Sequence, residues 1–295
     1  MSDSTSETVE RPSAEQTVAG EVVELKDLKE ESKWVLDTAD LAPFRVKAGY
    51  DIFVVPNFAQ DVLGIKDPRA LLGQLEAYPS VGAGARIVPN VVQWVTGDNR
   101  ALMYRGNVLK RGKIWLQRGD PKTKGYRRYY YTGWQWNILP ATADVELCPE
   151  VEPIADAYDD WAEMRGVQRA NHYIVTKYKD GSDDIGFHTD KPRDIAASGA
   201  KGKSLITVVK IGNCARPFAV RKAPAKGETP EAPFFCKSLE PGTAVIMTME
   251  ANLQTQHSVP SVPEAGPSGS IVFRTITRVV KADEAAKEMN KRKRE

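Results

Sequence analysis

Two residues that could bind a metal ion stand close together in the sequence, at His188 and Asp190. Side chains two positions apart on a β-strand point to the same face, so this imidazole and this carboxylate can reach a common point. His257, within Gln256-His257-Ser258-Val259-Pro260, can supply a second imidazole. Two imidazoles and one carboxylate with open coordination positions are typical of non-haem Fe(II) oxygenases.

Histidine is rare in this chain, which strengthens an otherwise weak His-x-Asp signal. The sequence holds three histidines, and two of them, His188 and His257, fall where such a site needs them. A barrel brings strands that are distant in sequence together, so the wide gap between them agrees with a rolled sheet. The third, His172, shares strand parity with Thr176 and Tyr178, and we expect it to be a structural histidine.

Two arginines near the end of the chain, Arg274 and Arg278, would share one face of a strand running from Ser270 to Val280. An arginine that points into a barrel is costly unless it pairs with an anion. A dicarboxylate cosubstrate would supply that anion, because the guanidinium fork matches a carboxylate. The alternative is that both arginines lie on an edge that faces solvent.

The elements needed to position these groups are mostly strands. After a helix predicted at Glu152–Arg165, short strands separated by Gly, Pro, Asp and Ser turns indicate a sandwich or barrel. An earlier helix is predicted after the N-cap Asp67, with Pro68 in its first turn. The predicted strands are Arg45–Lys47, Asp51–Val55, His172–Tyr178, Ile185–Thr189, Ser204–Lys210, Pro217–Arg221, Pro233–Lys237, Ala244–Met249, Gln256–Val259 and Ser270–Val280.

Residues 104–136 combine nine basic residues and eight aromatic residues with a single acid, Asp120. Basic groups neutralise phosphates, and aromatic rings stack on unpaired bases. This composition predicts a nucleic-acid contact, for which the candidate residues are Arg127, Arg128, Tyr130 and Trp134. The alternative is a β-hairpin whose aromatic residues are core and whose lysines face solvent.

Composition limits the class of protein and its cellular compartment. A hydrophobic share of 41% and a charged share of 27% are ordinary for a soluble globular protein, and no apolar run approaches the roughly 20 residues that cross a bilayer. Three scattered cysteines and a polar, acidic start without a secretory signal favour the cytoplasm or nucleus. We expect a monomer with a disordered tail at residues 1–32, an extension and lid at 33–150, a catalytic core at 151–280, and a charged helix or tail at 281–295.

The motifs resemble those of a known family, the AlkB-type 2-oxoglutarate/Fe(II) dioxygenases, over roughly residues 100 to 280. The residues that carry the resemblance are Asn171-His172-Tyr173, Tyr178-Lys179-Asp180-Gly181, Asp184-Ile185-Gly186, His188-Thr189-Asp190, Leu239-x-x-Gly242, His257-Ser258-Val259-Pro260 and Phe273-Arg274-Thr275. The resemblance implies a mainly β (α+β) fold, a double-stranded β-helix or jelly roll with N-terminal helices and a β-rich nucleotide-recognition lid. It also implies that Fe(II), 2-oxoglutarate and O₂ are used.

By the same resemblance, iron is held by His188, Asp190 and His257, and the cosubstrate by Tyr178 and Arg274. The sequence departs from the family at three places. Thr176 stands where the family usually has an asparagine. Ser268 lies near the place where the family has a second arginine, and Arg278 would compensate for that missing arginine. Lys191-Pro192-Arg193 follows the His-x-Asp motif, where the family often has an acidic residue that recognises the base. Arg193 is therefore a further candidate for substrate binding.

Three functions compete at this point. The first is oxidation of a methylated or modified base in DNA or RNA, single-stranded or flipped out of a duplex, by demethylation or hydroxylation with release of succinate and CO₂. The second is a 2-oxoglutarate oxygenase that hydroxylates a protein side chain or a small molecule. The third is an inactive barrel that binds without turnover, which the retention of all three expected metal ligands argues against.

Overall fold

In a computed structural model of the chain, the described residues are 22–24, 39–81, 87–96, 103–104, 107–108, 111–118, 127–129, 142–190, 195, 204–276 and 278–281. For 22–24, 103–104, 107–108, 127–129 and 278–281, the backbone alone is described. Residues 282–295, for which a charged helix or tail is predicted, lie outside this part of the chain.

Strands make up most of the described structure. They are β1 (Val22–Glu24), β2 (Ile52–Val55), β3 (Ser80–Val81), β4 (Trp94–Val95), β5 (Met103–Tyr104), β6 (Asn107–Val108), β7 (Gly112–Gln117), β8 (Arg127–Tyr129), β9 (Thr142–Asp144), β10 (His172–Tyr178), β11 (Ile185–His188), β12 (Leu205–Gly212), β13 (Arg216–Lys222), β14 (Phe235–Leu239), β15 (Ala244–Thr248), β16 (Thr255–Val259), β17 (Ser268–Arg274) and β18 (Arg278–Lys281). The α-helices are α1 (Phe58–Asp61), α2 (Pro68–Leu75), α3 (Glu152–Met164) and α4 (Met249–Gln254), and 3-10 turns cover Ala39–Phe44 and Val145–Leu147.

Two sheets build the core of the fold. The larger is nine-stranded, in the order β2-β15-β12-β17-β10-β7-β4-β3 with β9 beside β7, and the smaller is four-stranded, in the order β11-β16-β13-β14. Neighbouring strands are antiparallel except in the pairs β3–β4 and β7–β9. Side chains of both sheets, including Tyr178, Val208, Phe218 and Val259, pack into one buried cluster. The jelly roll predicted for this chain is therefore confirmed.

Strand alternation decides which side chains enter the space between the sheets. On β12, Leu205, Val209 and Ile211 pack outward with the helices, whereas Ile206 and Val208 pack inward against the smaller sheet. Side chains on a strand alternate between faces, so the even-numbered positions of β12 face inward. The same parity places the even-numbered residues of β10 and β17 inward, because Tyr173, Val175, Ile271 and Phe273 belong to the outer cluster.

Helices cover the outer face of the larger sheet. The Asp67 carboxylate accepts hydrogen bonds from the backbone N–H groups of Arg69 and Ala70, at 2.9 and 3.1 Å, and so caps α2. On α3, the Tyr158 ring stacks on Phe273 with ring centroids 4.4 Å apart. Both helices begin at the predicted residues, with Asp67 as N-cap and with Glu152.

The predicted strand Ser270–Val280 is in fact two strands in different sheets, and this expectation is wrong. β17 ends at Arg274, while β18 joins a separate three-stranded sheet in the order β1-β18-β8. Between them, the Thr275 hydroxyl donates to the Arg169 carbonyl at 2.9 Å, and the Ile276 N–H donates to the Asn171 side chain at 2.8 Å. These side-chain hydrogen bonds replace strand pairing, and the chain leaves the larger sheet.

Three boundaries also differ from expectation. β2 and β7 belong to the larger sheet, so this sheet begins well before residue 151. β1 lies within the predicted N-terminal tail and pairs with β18. The predicted strand Arg45–Lys47 is reduced to a single bridge between Arg45 and Phe53. Among the described residues, no helix is both long enough and apolar enough to span a membrane.

Gly181 provides a test of the loop that leads into the site. A Cβ atom at this position would lie 1.7 Å from the Val262 carbonyl oxygen, a backbone atom that cannot move aside easily. We expect Gly181→Ala to lower the free energy of unfolding by about 1–3 kcal/mol in urea titrations, because the substitution forces the backbone apart. The control is Gly186→Ala, since no atom lies within 4 Å of a Cβ there. It should change stability by less than about 0.5 kcal/mol, and equal effects of the two substitutions would contradict the crowding.

Candidate active site

The pairing of β11 with β16 places the two predicted imidazoles side by side. His188 lies opposite His257 in the antiparallel register, and their ring centroids are 4.3 Å apart. The register shifts between Ile185 and His188, which is typical of a β-bulge. Bulges often occur next to active sites, where they redirect a side chain.

Asp190, two residues beyond His188, completes the cluster. One ligand atom from each of His188, Asp190 and His257 lies within 4.8 Å of the others. His188 is 38% exposed, whereas the Asp190 side chain is 15% exposed and His257 is buried. The three residues are thus brought together at a point that opens to solvent on one side, and their role as metal ligands stays a prediction.

The charges of the cluster suit a divalent cation. Burial, followed by the neighbouring His188, lowers the pKa of His257 to about 3, so this imidazole is neutral at physiological pH. Desolvation also lowers the pKa of His188. Burial alone would raise the pKa of Asp190, but Arg274 and the two imidazoles more than offset it and hold the pKa well below its usual value. Two neutral imidazoles and one carboxylate are the forms that bind metal.

Neighbouring groups orient both imidazoles. The His188 Nδ1 atom lies 2.9 Å from the Gly186 carbonyl oxygen, which favours the Nδ1–H tautomer and leaves the Nε2 lone pair available. The Phe218 ring stacks on His257 at 5.7 Å. The buried Nδ1 atom of His257 has no hydrogen-bond partner among the described residues. A buried nitrogen without a protein partner is compatible with a metal ligand.

Asn252, on α4, holds the backbone of Asp190 by two hydrogen bonds. Its side-chain oxygen accepts from the Asp190 N–H at 3.0 Å, and its amide nitrogen donates to the Asp190 carbonyl at 2.9 Å. The residue is fully buried, and the Thr248 hydroxyl caps the helix that carries it. Sequence reasoning missed Asn252, because a lone asparagine on a short helix carries no local signal.

Arg274 lies beside the cluster, as predicted, and its side chain points inward. One guanidinium nitrogen lies 3.2 Å from Asp190 Oδ2, and the other lies 3.2 Å from His172 Nδ1. The pKa of His172 is well below its usual value, because of burial and then of Arg274, so its Nδ1 can accept this hydrogen bond. His172 is thus a buried histidine that supports Arg274, which agrees with the structural role expected for it.

The predicted cosubstrate residues on β10 also face inward. Tyr178 and Thr176 are both almost fully buried, and Thr176 lies opposite Ser270 of β17 in the register. Burial raises the pKa of the Tyr178 hydroxyl to about 12, so it remains protonated, and it shares a hydrogen bond with Ser270. Their binding roles stay predictions, as does that of Arg274.

The other predicted residues are placed in part or not at all. Arg127 and Arg128 lie in β8 and Arg278 in β18, where the backbone alone is described. Tyr130, Trp134 and Arg193 lie outside the described residues. Arg278 does not share a strand with Arg274, so the common face expected for the two arginines is wrong.

Phe187, the residue before His188, is half-buried. The Arg221 guanidinium carbon lies 4.0 Å from the centroid of its ring.

Three further cations near the interior were not singled out from the sequence. Lys113 lies opposite Thr176, and burial, followed by Arg111 and Arg274, lowers its pKa to about 7. Lys210 and Arg216 are almost completely buried on either side of the space between the sheets. The pairing of neighbouring strands shows that these cations lie near the interior, whereas the local sequence around them gives no such signal.

A jelly roll that brings two imidazoles and one carboxylate to a common point has the arrangement of the non-haem Fe(II) oxygenases. Curated proteins that are similar to this chain share one description. Three relatives are described as "DNA oxidative demethylase ALKBH2": the protein of Bos taurus is 28% identical over 132 residues, that of Mus musculus 30% over 131, and that of Homo sapiens 30% over 112. These relatives confirm the resemblance to the AlkB-type 2-oxoglutarate/Fe(II) dioxygenases that the motifs indicated.

The matched region is limited in extent. The match with the Bos taurus protein covers 44% of this chain and 45% of that protein. The corresponding shares of this chain and of the relative are 43% and 52% for the Mus musculus protein, and 37% and 41% for the Homo sapiens protein. The chain therefore matches about half the length of these relatives. No family model matches the chain.

The chain is also similar to two solved structures. "The structure of OsALKBH1" has a TM-score of 0.44 at 16% identity and covers 78% of this chain and 98% of its own. A 2OG-Fe(II) oxygenase family oxidoreductase from Burkholderia pseudomallei has the same TM-score and identity, covering 83% and 93%.

The Asn252 contact leads to a test of the site's geometry. Asn252→Asp keeps the shape of the side chain but replaces the donor to the Asp190 carbonyl with an acceptor. We expect Mn(II) binding, measured by titration calorimetry, to weaken about 10- to 100-fold, because partners that orient a metal ligand have effects of this size. Gln254→Glu makes the same change at an exposed position of α4 and should leave affinity unaltered. Equal affinities of the two variants would contradict a positioning role for Asn252.

Proposed function

We propose that this protein is an Fe(II)/2-oxoglutarate-dependent dioxygenase of the AlkB type that oxidises a methylated or modified base in nucleic acid, with release of succinate and CO₂. One observation carries the proposal: His188, His257 and Asp190 converge within 4.8 Å inside a jelly roll. Their charge states are those of a metal site, and His188 keeps the point accessible from solvent.

The residues present fit the metal and the cosubstrate that this activity requires. His188, Asp190 and His257 would hold iron. The buried Nδ1 atom of His257, which has no hydrogen-bond partner in the described part of the chain, supports this assignment. Arg274, Tyr178 and Thr176 would hold 2-oxoglutarate by charge and hydrogen bonds. Iron, 2-oxoglutarate and O₂ together supply the oxidant that breaks a substrate C–H bond, and the protein supplies binding and orientation.

The protein's own groups contribute three functions. Gly186, Phe218 and Asn252 fix the two imidazoles and the carboxylate, so the ligand atoms are already in place before the metal arrives. His172 holds the Arg274 guanidinium in one orientation. Buried apolar residues between the sheets exclude water from the interior, where charge interactions are consequently stronger.

Nucleic acid is the substrate class best supported by the sequence. The basic and aromatic segment at residues 104–136 has the composition of a surface that contacts phosphates and unpaired bases. Within it, Trp115 is buried and Arg118 pairs with Asp156 at 2.6 Å, so these two residues serve the fold. The curated relatives are described as DNA oxidative demethylases, which favours a base over a protein side chain.

The activity is tested by supplying the protein with Fe(II), 2-oxoglutarate and methylated single-stranded DNA and RNA oligonucleotides. We expect succinate to form in proportion to the loss of methyl groups, measured by nucleoside mass spectrometry. Removal of iron by a chelator should abolish both signals, and added Fe(II) should restore them. His257→Ala should remove turnover at any iron concentration tested.

Turnover on cell-extract peptides with none on any oligonucleotide would overturn the nucleic-acid substrate. Absence of succinate under every condition would overturn the enzyme itself.

A charge-reversal pair tests the nucleic-acid contact. Arg127→Glu together with Arg128→Glu should reduce the salt dependence of oligonucleotide binding by about two in the log–log slope, because each lost phosphate contact removes about one. The measurement is fluorescence anisotropy from about 50 to 200 mM salt. The control pair, Lys226→Glu with Lys237→Glu, makes the same charge change at exposed positions. If both pairs weaken binding equally, the effect is one of net charge and the assigned contact is wrong.

A further inference from the structure

One inward-facing lysine, Lys210, is buried inside the jelly roll. Lys210 is 1% exposed, and its position on β12 is inward-facing, like those of Ile206 and Val208. Its Nζ atom has no hydrogen-bond partner among the described residues. Burial, followed by Arg216, lowers its pKa to about 8, so the amine is still mostly charged at neutral pH. A buried charge without a partner is costly, and bound anions relieve such a cost.

A second buried cation adds to the positive charge at this place. Arg216 on β13 is fully buried, and its guanidinium group donates hydrogen bonds to the backbone carbonyls of Asp180, Asp183 and Pro260. These acceptors are neutral, so they satisfy the two terminal guanidinium nitrogens without cancelling the charge. Arg216 and Lys210 both lie against the Tyr178 ring, 5.3 and 5.6 Å from its centroid.

The groups around Lys210 form a polar patch in an otherwise apolar interior. Lys210 lies opposite Ser270 in the register, Ser270 lies opposite Thr176, and Thr176 lies opposite Lys113, so one inward row crosses four strands. Ser268, one inward position further on β17, is fully buried, and its hydroxyl has no hydrogen-bond partner among the described residues. The Lys210 amine, the Ser268 hydroxyl and the Tyr178 hydroxyl thus share one region.

This patch lies where the resemblance expects an arginine. Ser268 occupies that place, and Arg278 was the expected substitute. β17 ends at Arg274 and β18 belongs to another sheet, so Arg278 does not continue the inward row. Arg274 contacts Asp190 and so lies at the end of the interior where the candidate metal site is. Ser270 is two inward-facing positions away from Arg274 along β17, and it lies opposite Lys210.

We propose that Lys210 supplies the positive charge that holds the distal carboxylate of 2-oxoglutarate, in place of the arginine that Ser268 replaces. The inference rests on the proposed function. Tyr178 and Ser268 donate hydrogen bonds to the same carboxylate, and Arg216 adds charge from the opposite sheet. The keto-acid end of the molecule would lie toward Arg274 and the cluster of His188, Asp190 and His257. Selection of a diacid over a monoacid is therefore a property of Lys210.

The test compares two keto acids that differ at the distal end alone. Binding of 2-oxoglutarate and of 2-oxopentanoate, whose distal end is a methyl group, is measured by calorimetry without oxygen on Mn(II)-loaded protein. The unaltered protein should prefer the diacid by a factor on the order of 100, as expected for a buried charge pair. Lys210→Met should lose most of this preference by weakening diacid binding, with monoacid binding unchanged. Lys210→Arg should restore most of it, because the charge is retained.

Thermal unfolding of the metal-free variants separates binding from folding. Lys210→Met should be at least as stable as the unaltered protein, because methionine replaces an unpaired buried charge with an apolar chain. The matched control is Lys177→Met, on the opposite face of β10, where the amine pairs with Glu76 at 3.2 Å. It should leave the diacid preference intact.

An unchanged preference in Lys210→Met, or a marked loss of its stability without metal, would overturn the role of Lys210. Failure of the unaltered protein to bind 2-oxoglutarate would overturn the proposed function instead.

Discussion

The ion pair between Arg274 and Asp190 connects the two sheets at the centre of the site. Arg274 ends β17 in the larger sheet, and Asp190 follows β11 in the smaller one, with 3.2 Å between their charged atoms. Both side chains are largely buried, at 7% and 15% exposure, and a buried charge that loses its partner is strongly destabilising. The sheets must therefore close with both groups in place. The same ion pair is therefore required both for packing of the jelly roll and for assembly of the candidate metal site.

The residues that could be found from the sequence are those with rare types or strong local patterns. Histidine occurs three times, so His188 and His257 were conspicuous, and the His-x-Asp spacing placed Asp190 beside them. β10 was predicted to the residue, because its alternation is bounded by clear turns. Asn252 and Lys210 could not be found this way. Their significance depends on cross-strand neighbours and on contacts between distant segments, which local periodicity does not encode.

The division of the last predicted strand shows a different limit. Residues 270–280 have continuous strand propensity, and propensity alone favours one element. Asn171 and Arg169, about a hundred residues earlier, bind Thr275 and Ile276 and end β17 at Arg274. Long-range hydrogen bonds thus outweigh local preference, and Arg278 does not continue the strand that carries Arg274. Lys210, from the neighbouring strand, lies opposite Ser270 in the register.

The central place of β17 in the larger sheet has a consequence for synthesis of the chain. β10 and β12 flank this strand and do not pair with each other, although β17 follows them by more than fifty residues. A nascent chain therefore holds two open strand edges, with Lys210 on one of them, until the ribosome has released β17. Until such a late strand is inserted, a domain exposes apolar surface and unpaired strand edges that promote aggregation. The order of the strands therefore makes the partly synthesised chain prone to aggregation until β17 is inserted.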